Sequence, residues 1–169
     1  MEKDGAVIWR EMLASRRRAD LAPAIPLPGL YALFLNRGVL GQILPGEDGL
    51  LYIGMTDSSL EERNHLWHGS SGFSTLRRSL GAILRVELDL VPIPRSQGSS
   101  ADKFKFTPDG ELRLTKWMMA HLDYAFVTLA RDRPQLEKRL ILDQRPPLNL
   151  NKWKNPQGPN IKALRALCR

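Results

Sequence analysis

Two nearly unbroken apolar runs, Leu30-Tyr31-Ala32-Leu33-Phe34-Leu35 and Leu50-Leu51-Tyr52-Ile53-Gly54-Met55, constrain this chain more than any other feature. Such runs have no polar side to turn toward water, so each reads as a strand covered on both faces. The segment between them, residues 36–49, is punctuated by Gly38, Gly41, Pro45, Gly46 and Gly49, and reads as a long loop. It returns the chain so that the two strands pair antiparallel. A third core strand is read at Asp123–Leu129, whose β-branched and aromatic content suits a sheet.

Helical patterns surround these strands. Residues 7–18 carry a weak one, and the Pro-rich stretch Ala22–Pro28 breaks it and delivers extended chain to Gly29. Ser58 and Glu61 have capping-box spacing, predicting a helix that Gly69 stops and that carries Arg63 in its second turn. From Ser74 to Leu84, Leu76, Leu80, Ile83 and Leu84 fall on one stripe, with Arg77 and Arg78 on another. Residues 95–102 read as a linker. Phe104-Lys105-Phe106 and Leu112-Arg113-Leu114 alternate around Thr107-Pro108-Asp109-Gly110, predicting a small hairpin, with a short helix from Thr115 to Leu122. Asp132 followed by Pro134 starts a helix that ends before Pro146-Pro147, and a final helix is read at Ile161–Leu167.

The chain has 169 residues, 43% of them hydrophobic, and a single cysteine, Cys168. This is enough for one ordinary domain with its own core, and it excludes an internal disulfide or a multi-cysteine metal cluster. No apolar run approaches membrane-spanning length, the N-terminal residues lack the apolar stretch of a secretory signal, and a reducing, cytoplasmic location is expected. The net charge of +7 is uneven: residues 101–169 hold 14 Lys and Arg against 7 Asp and Glu, and no acid follows Asp143. A basic surface concentrated in the last third suits a polyanion through phosphate contacts, or is a solvated face.

Three residues break their local patterns. Tyr31 and Tyr52 place a phenol on each of two neighbouring strands, where their hydroxyls can meet on one face. Glu137 shares a helical stripe with Leu140 and Ile141, where a core-facing helix should be apolar; near a helix N-terminus the macrodipole also favours it.

Gly29-Leu30-Tyr31, Tyr52-Ile53-Gly54, Arg63 in the following helix, Glu137 in a later one and Pro147-Leu148-Asn149 after it resemble the GIY-YIG nuclease superfamily in order and context. The resemblance covers about residues 28–152. It implies an α+β fold, a small three-stranded antiparallel sheet flanked by helices. It also implies divalent-metal-dependent hydrolysis of DNA phosphodiesters at a site made by Tyr31, Tyr52, Arg63, Glu137 and Asn149. The chain then divides into a helical, Pro-rich lead-in (1–28), a catalytic domain (29–152) and a basic tail (153–169). This sequence departs from the pattern in the Leu of Gly-Leu-Tyr, in the 20 residues separating the two tyrosines, and in Met55 and Trp67 where relatives carry a Lys and a His. His65 and His68 are off that register, which favours surface or structural roles for both.

Hydrolysis of a phosphodiester needs an activated water, a cation to spread the developing charge and stabilisation of the leaving oxygen. Glu137 is a hard oxygen ligand suited to Mg²⁺ or Mn²⁺, and Arg63 offers a planar fork to the phosphate. Tyr31 is the base candidate, on the expectation that Arg63 and the metal favour its phenolate. Tyr52 would orient the water or phosphate, and Asn149 would position site groups. Lys152-Trp153-Lys154 suits a nucleic-acid groove, a ring between two cations, or a Trp packed on the sheet; Arg77 and Arg78 are phosphate contacts or solvated charges. The alternatives to a nuclease are a non-catalytic nucleic-acid-binding module of the same fold and a basic structural protein.

Overall fold

The computed structural model describes residues 4–66, 69–100 and 103–169. The first helix, α1 (Gly5–Ser15), is capped by Asp4, whose carboxylate accepts from the Ala6 N–H. It stops at Ser15, short of the predicted Arg18, because the Ser15 hydroxyl is held by the backbone N–H and carbonyl of Phe126. That tie turns the chain into a two-residue edge strand, β1 (Arg17–Arg18). The two apolar runs form β2 (Gly29–Leu35) and β3 (Leu50–Thr56), paired antiparallel with a bulge at Leu51.

The segment after β3 forms turns, not the predicted helix. The Leu60 and Glu61 N–H groups donate to Leu27 and Ile25 of the Pro-rich stretch, while Thr56, Ser59 and Asn64 side chains accept from Ser58, Glu62 and Leu66. Donors bound in this way cannot propagate a helix. Next comes α2 (Thr75–Ile83), capped by Ser74, whose hydroxyl accepts from the Arg77 N–H. The predicted hairpin at 104–114 is also replaced. β4 (Pro92–Pro94) pairs with β5 (Phe104–Phe106), and Thr107-Pro108 is the N-cap and first turn of α3 (Pro108–His121), so the turn-like residues open a helix.

The third core strand is β6 (Leu122–Thr128), which pairs with the other edge of β2. Helix α4 (Arg133–Gln144) follows Asp132, and α5 (Gly158–Ala166) closes the chain. The fold is α+β. Its main sheet has four antiparallel strands in the order β1-β6-β2-β3, one more than expected because of the short β1. Leu30, Ala32, Phe34 and Ile53 pack on Ile8 and Met12 of α1 and on Leu136, Leu140 and Ile141 of α4. Tyr31, Leu33, Leu51 and Tyr124 face Leu76, Leu80, Leu114, Met118 and Ile161. Both faces are therefore covered, as the unbroken runs require, and each buried Leu, Ile or Phe contributes about 1.5–3 kcal/mol. The last helix belongs to the body of the fold: α5 packs on α2 and buries Ile161 and Cys168, so residues 153–169 are not a free tail. Among the described residues no helix is long and apolar enough to cross a membrane.

Candidate active site

The ladder between β2 and β3 sets the two tyrosines. Tyr31 stands opposite Gly54 and Tyr52 opposite Leu33, which makes the phenols diagonal neighbours on one face with ring centroids 6.1 Å apart. Gly54 makes this possible: a Cβ there would lie 2.5 Å from Tyr31 Cζ and Oη and 2.9 Å from Tyr52 Cε1. Gly29 serves the other edge, where a Cβ would collide with the Val127 carbonyl oxygen. Tyr124 of β6 stacks on the far side of Tyr31, centroids 6.2 Å apart.

The Tyr31 hydroxyl lies 2.7 Å from His65 Nε2, and His65 Nδ1 lies 2.7 Å from the Ser74 hydroxyl that caps α2. His65 is buried, and its carbonyl accepts from Arg77 Nη1 at 3.0 Å. Burial, then the nearby cations Arg63 and Arg77, pulls its pKa down to about 3, so the ring is neutral at neutral pH. In the tautomer that donates Nδ1–H to Ser74, Nε2 accepts from the Tyr31 hydroxyl; in the other, Ser74 donates to Nδ1 and Nε2–H donates to Tyr31.

Enclosure also governs the phenols. Burial lifts the Tyr31 pKa well above its ordinary value, Tyr52 adds to the rise and Arg63 opposes it. Tyr52 is raised by burial and by Glu137, again against Arg63. At both phenols burial outweighs Arg63 and favours the neutral hydroxyl, so the arginine alone does not produce a phenolate at Tyr31. Arg63 is the exposed member of the group, a guanidinium beside the buried Tyr31 and half-buried Tyr52 hydroxyls. From below the other face, α4 packs against the edge strand β3 and brings Glu137 near enough for its charge to act on Tyr52. Glu137 is 6% exposed and ion-paired to Lys152 Nζ, whose backbone is in the left-handed region at φ 73°. The structure thus gathers Tyr31, Tyr52 and Arg63, adds His65, and leaves Glu137 linked to the group through its charge on Tyr52.

The sequence profile of the GIY-YIG catalytic domain matches residues 30–169, from β2 through α5. The chain belongs to the GIY-YIG family. That family's catalytic domain is a nuclease domain. No curated protein and no solved structure matches the chain.

Within this GIY-YIG fold, Asn149 supports the site from behind β3. Its Oδ1 accepts from the Ile53 N–H at 2.9 Å and its Nδ2 donates to the Ile53 carbonyl at 2.8 Å, completing the open strand edge between Tyr52 and Gly54. Trp153 Nε1 donates to the Pro146 and Asn149 carbonyls, so this half-buried ring locks the Asn149 loop instead of offering itself to a base. Lys152 is turned onto Glu137, and Lys154 is exposed. Arg77 is fully enclosed: Nη2 pairs with Glu111 at 2.7 Å and Nη1 reaches Thr115 at 3.0 Å, so it ties α2 to α3 and is not a phosphate contact. Arg78 is half-buried, with Nη1 donating to the Ser71 and Gly72 carbonyls. Trp67 and His68 lie outside the described residues.

The sequence favours a surface or structural role for His65 because a helix is expected after Ser58, and in a helix a side chain two residues past Arg63 points elsewhere. The turns that replace the helix remove that objection. As for a metal, no three His, Cys, Asp or Glu side chains cluster among the described residues. A lone carboxylate with Lys152 as its present partner fits Mg²⁺ or Mn²⁺, since Mg²⁺ keeps several waters and takes one or two protein carboxylates, and it does not fit a closed structural site.

Proposed function

We propose that this chain is a metal-dependent endonuclease that hydrolyses DNA phosphodiester bonds. The observation that supports the reading most is a neutral, buried hydrogen-bonded chain, Tyr31–His65–Ser74, beside one exposed arginine, with the Glu137 carboxylate close enough for its charge to act on Tyr52. Glu137 would hold a divalent ion, Mg²⁺ or Mn²⁺, which supplies a Lewis acid for the charge developing on the phosphate and on the leaving oxygen.

The chain's own residues do the rest. Arg63 forks onto the non-bridging phosphate oxygens. Burial is the main cause of the low His65 pKa and Arg63 the next; the arriving negative charge offsets the arginine's part, so the imidazole becomes more basic when substrate is bound. The attacking water gives its proton to Tyr31 Oη as the Tyr31 proton passes to His65 Nε2. The water oxygen forms its bond to phosphorus, the opposite P–O bond breaks, and the leaving oxygen takes a proton from solvent. Tyr52 orients the water or the phosphate, and Asn149 holds β3 in place. DNA is the partner that the basic C-terminal third suits, with Lys154 and Lys162 exposed on it.

Incubation with supercoiled plasmid tests this reading. Nicked circles are expected with Mg²⁺ or Mn²⁺ and not with EDTA. Absence of nicking with either ion would leave a non-catalytic nucleic-acid-binding module of the same fold.

A further inference from the structure

Phe73 has 77% of its surface exposed, and the turn that carries it is fixed from several directions. Ser71, buried, binds Glu111 through both its N–H (2.9 Å) and its hydroxyl (3.1 Å). Arg78 Nη1 donates to the Gly72 carbonyl at 2.8 Å, and the Ser74 N–H returns to Ser71 at 3.3 Å. The ring's exposure is therefore imposed by a rigid turn, and an exposed Phe contributes none of the burial energy that would explain its presence for folding. Arg95 lies over the ring, its guanidinium 5.0 Å from the centroid, and its stem crosses Gly72 so closely that a Cβ at 72 would sit 2.9 Å from Arg95 Cγ.

The next residue is Ser74, the partner of His65, and Phe73 shares a cleft of about 240 Å³ with Arg63 and His65. Beyond it, Thr75 lines a second cleft of about 380 Å³ together with Asn151, Lys162, Arg165 and Arg169. An aromatic face, stacked with a guanidinium, lining the Arg63 cleft and two residues in the chain from a cationic groove, matches how proteins hold unstacked bases along a phosphate backbone.

We propose that Phe73 and Arg95 form a stacking platform for an unpaired nucleobase flanking the cut, so that the preferred substrate is DNA with an unpaired nucleotide beside the scissile phosphate. The inference rests on the nuclease reading of the adjacent site. Its test separates the two. In EDTA, fluorescence anisotropy measures binding of labelled duplexes carrying one central unpaired nucleotide, either with its base or abasic.

Wild type is expected to prefer the base over the abasic site by about 5- to 150-fold, the range that base–aromatic stacking confers. Phe73→Ala should abolish that preference with an unchanged melting temperature, and Phe73→Trp should restore it. Equal base-to-abasic ratios in wild type and Phe73→Ala would overturn the platform, as would a loss in Phe73→Ala that is the same for both duplexes. Nicking of the same duplexes by wild type in Mn²⁺ is read separately. A base preference without nicking would sustain the platform and sink the nuclease, and nicking without a base preference would do the reverse.

Discussion

The two sides of the site are built on opposite principles. On the Tyr31 side the hydrogen-bonded line Tyr31–His65–Ser74 is enclosed and its anchor Arg77 is paired with Glu111, while Arg63 beside it faces solvent. On the Glu137 side the groups are formally charged and the cation is mobile in principle, since Lys152 keeps 44% of its side chain exposed. Under the proposed function this contrast would give proton handling to the sealed side, with a neutral imidazole next to a phenol, and ion binding to the Glu137 side, where a surface lysine is the present partner. It also distinguishes two arginines that look alike in sequence. Arg63 is presented to solvent and Arg77 is consumed by the frame.

Breaking the sealed side should have the largest effect on activity. His65→Gln retains hydrogen-bonding groups but removes the proton acceptor, and nicking should fall by about 10²- to 10⁴-fold, the usual worth of a positioned acid–base group. If Tyr31 and His65 act as one relay, the double variant Tyr31→Phe/His65→Gln should be no slower than the worse single variant. Rate losses that multiply in single-turnover nicking assays would separate the two residues.

The anchor of that side should show in stability. Arg77→Met removes the fully enclosed guanidinium and its bonds to Glu111, Thr115 and the His65 carbonyl, leaving half-buried Glu111 held by Ser71 and Phe106, and about 3–5 kcal/mol should be lost in urea unfolding. The same change at exposed Arg63 should cost little stability while weakening DNA cleavage. Comparable unfolding midpoints for the two variants would erase the distinction.

A pH series sharpens the comparison. The folded pKa of His65, about 3, lies below the unfolded value near 6.5, so the unfolded chain binds the proton first as pH falls. Its contribution is therefore fully present above pH 6.5 and is lost toward pH 3, at a slope of up to about 1.4 kcal/mol per unit. His65→Gln cannot titrate, and its stability should fall less than that of wild type between pH 6.5 and 4.5. Parallel curves would contradict a neutral buried imidazole.

The smallest effect belongs to the open side. Lys152→Met frees Glu137 from its half-exposed partner, and Mn²⁺ affinity measured by calorimetry should rise by about 1.5- to 5-fold, the scale of an exposed ion pair. A fall in affinity would make Lys152 a contributor to the ion site.

The elements were legible in the sequence where local pattern decides them. Unbroken apolar runs gave β2 and β3, Asp132 with Pro134 marked the start of α4, and Glu137 stood out against its stripe. Legibility failed where distant partners decide. Nothing near Arg77 announces Glu111, 34 residues on, so its burial was hidden behind an amphipathic stripe. Thr107-Pro108 opens a helix or a turn with equal ease until β4 takes β5 as its partner. The capping-box spacing after Ser58 was real chemistry used differently, since the Pro-rich stretch claims the N–H groups of Leu60 and Glu61. The same substitution of turns for helix is what brings His65 onto Tyr31.

The most direct test of the central claim compares wild type with Glu137→Gln on supercoiled plasmid in Mg²⁺, with DNA affinity and melting temperature taken on the same preparations. The change keeps size and packing and removes the charge that would hold the ion. Nicking should drop by orders of magnitude while DNA affinity is retained and stability shifts by no more than about 1 kcal/mol. Wild-type nicking by Glu137→Gln would contradict the account and remove Glu137 from the chemistry.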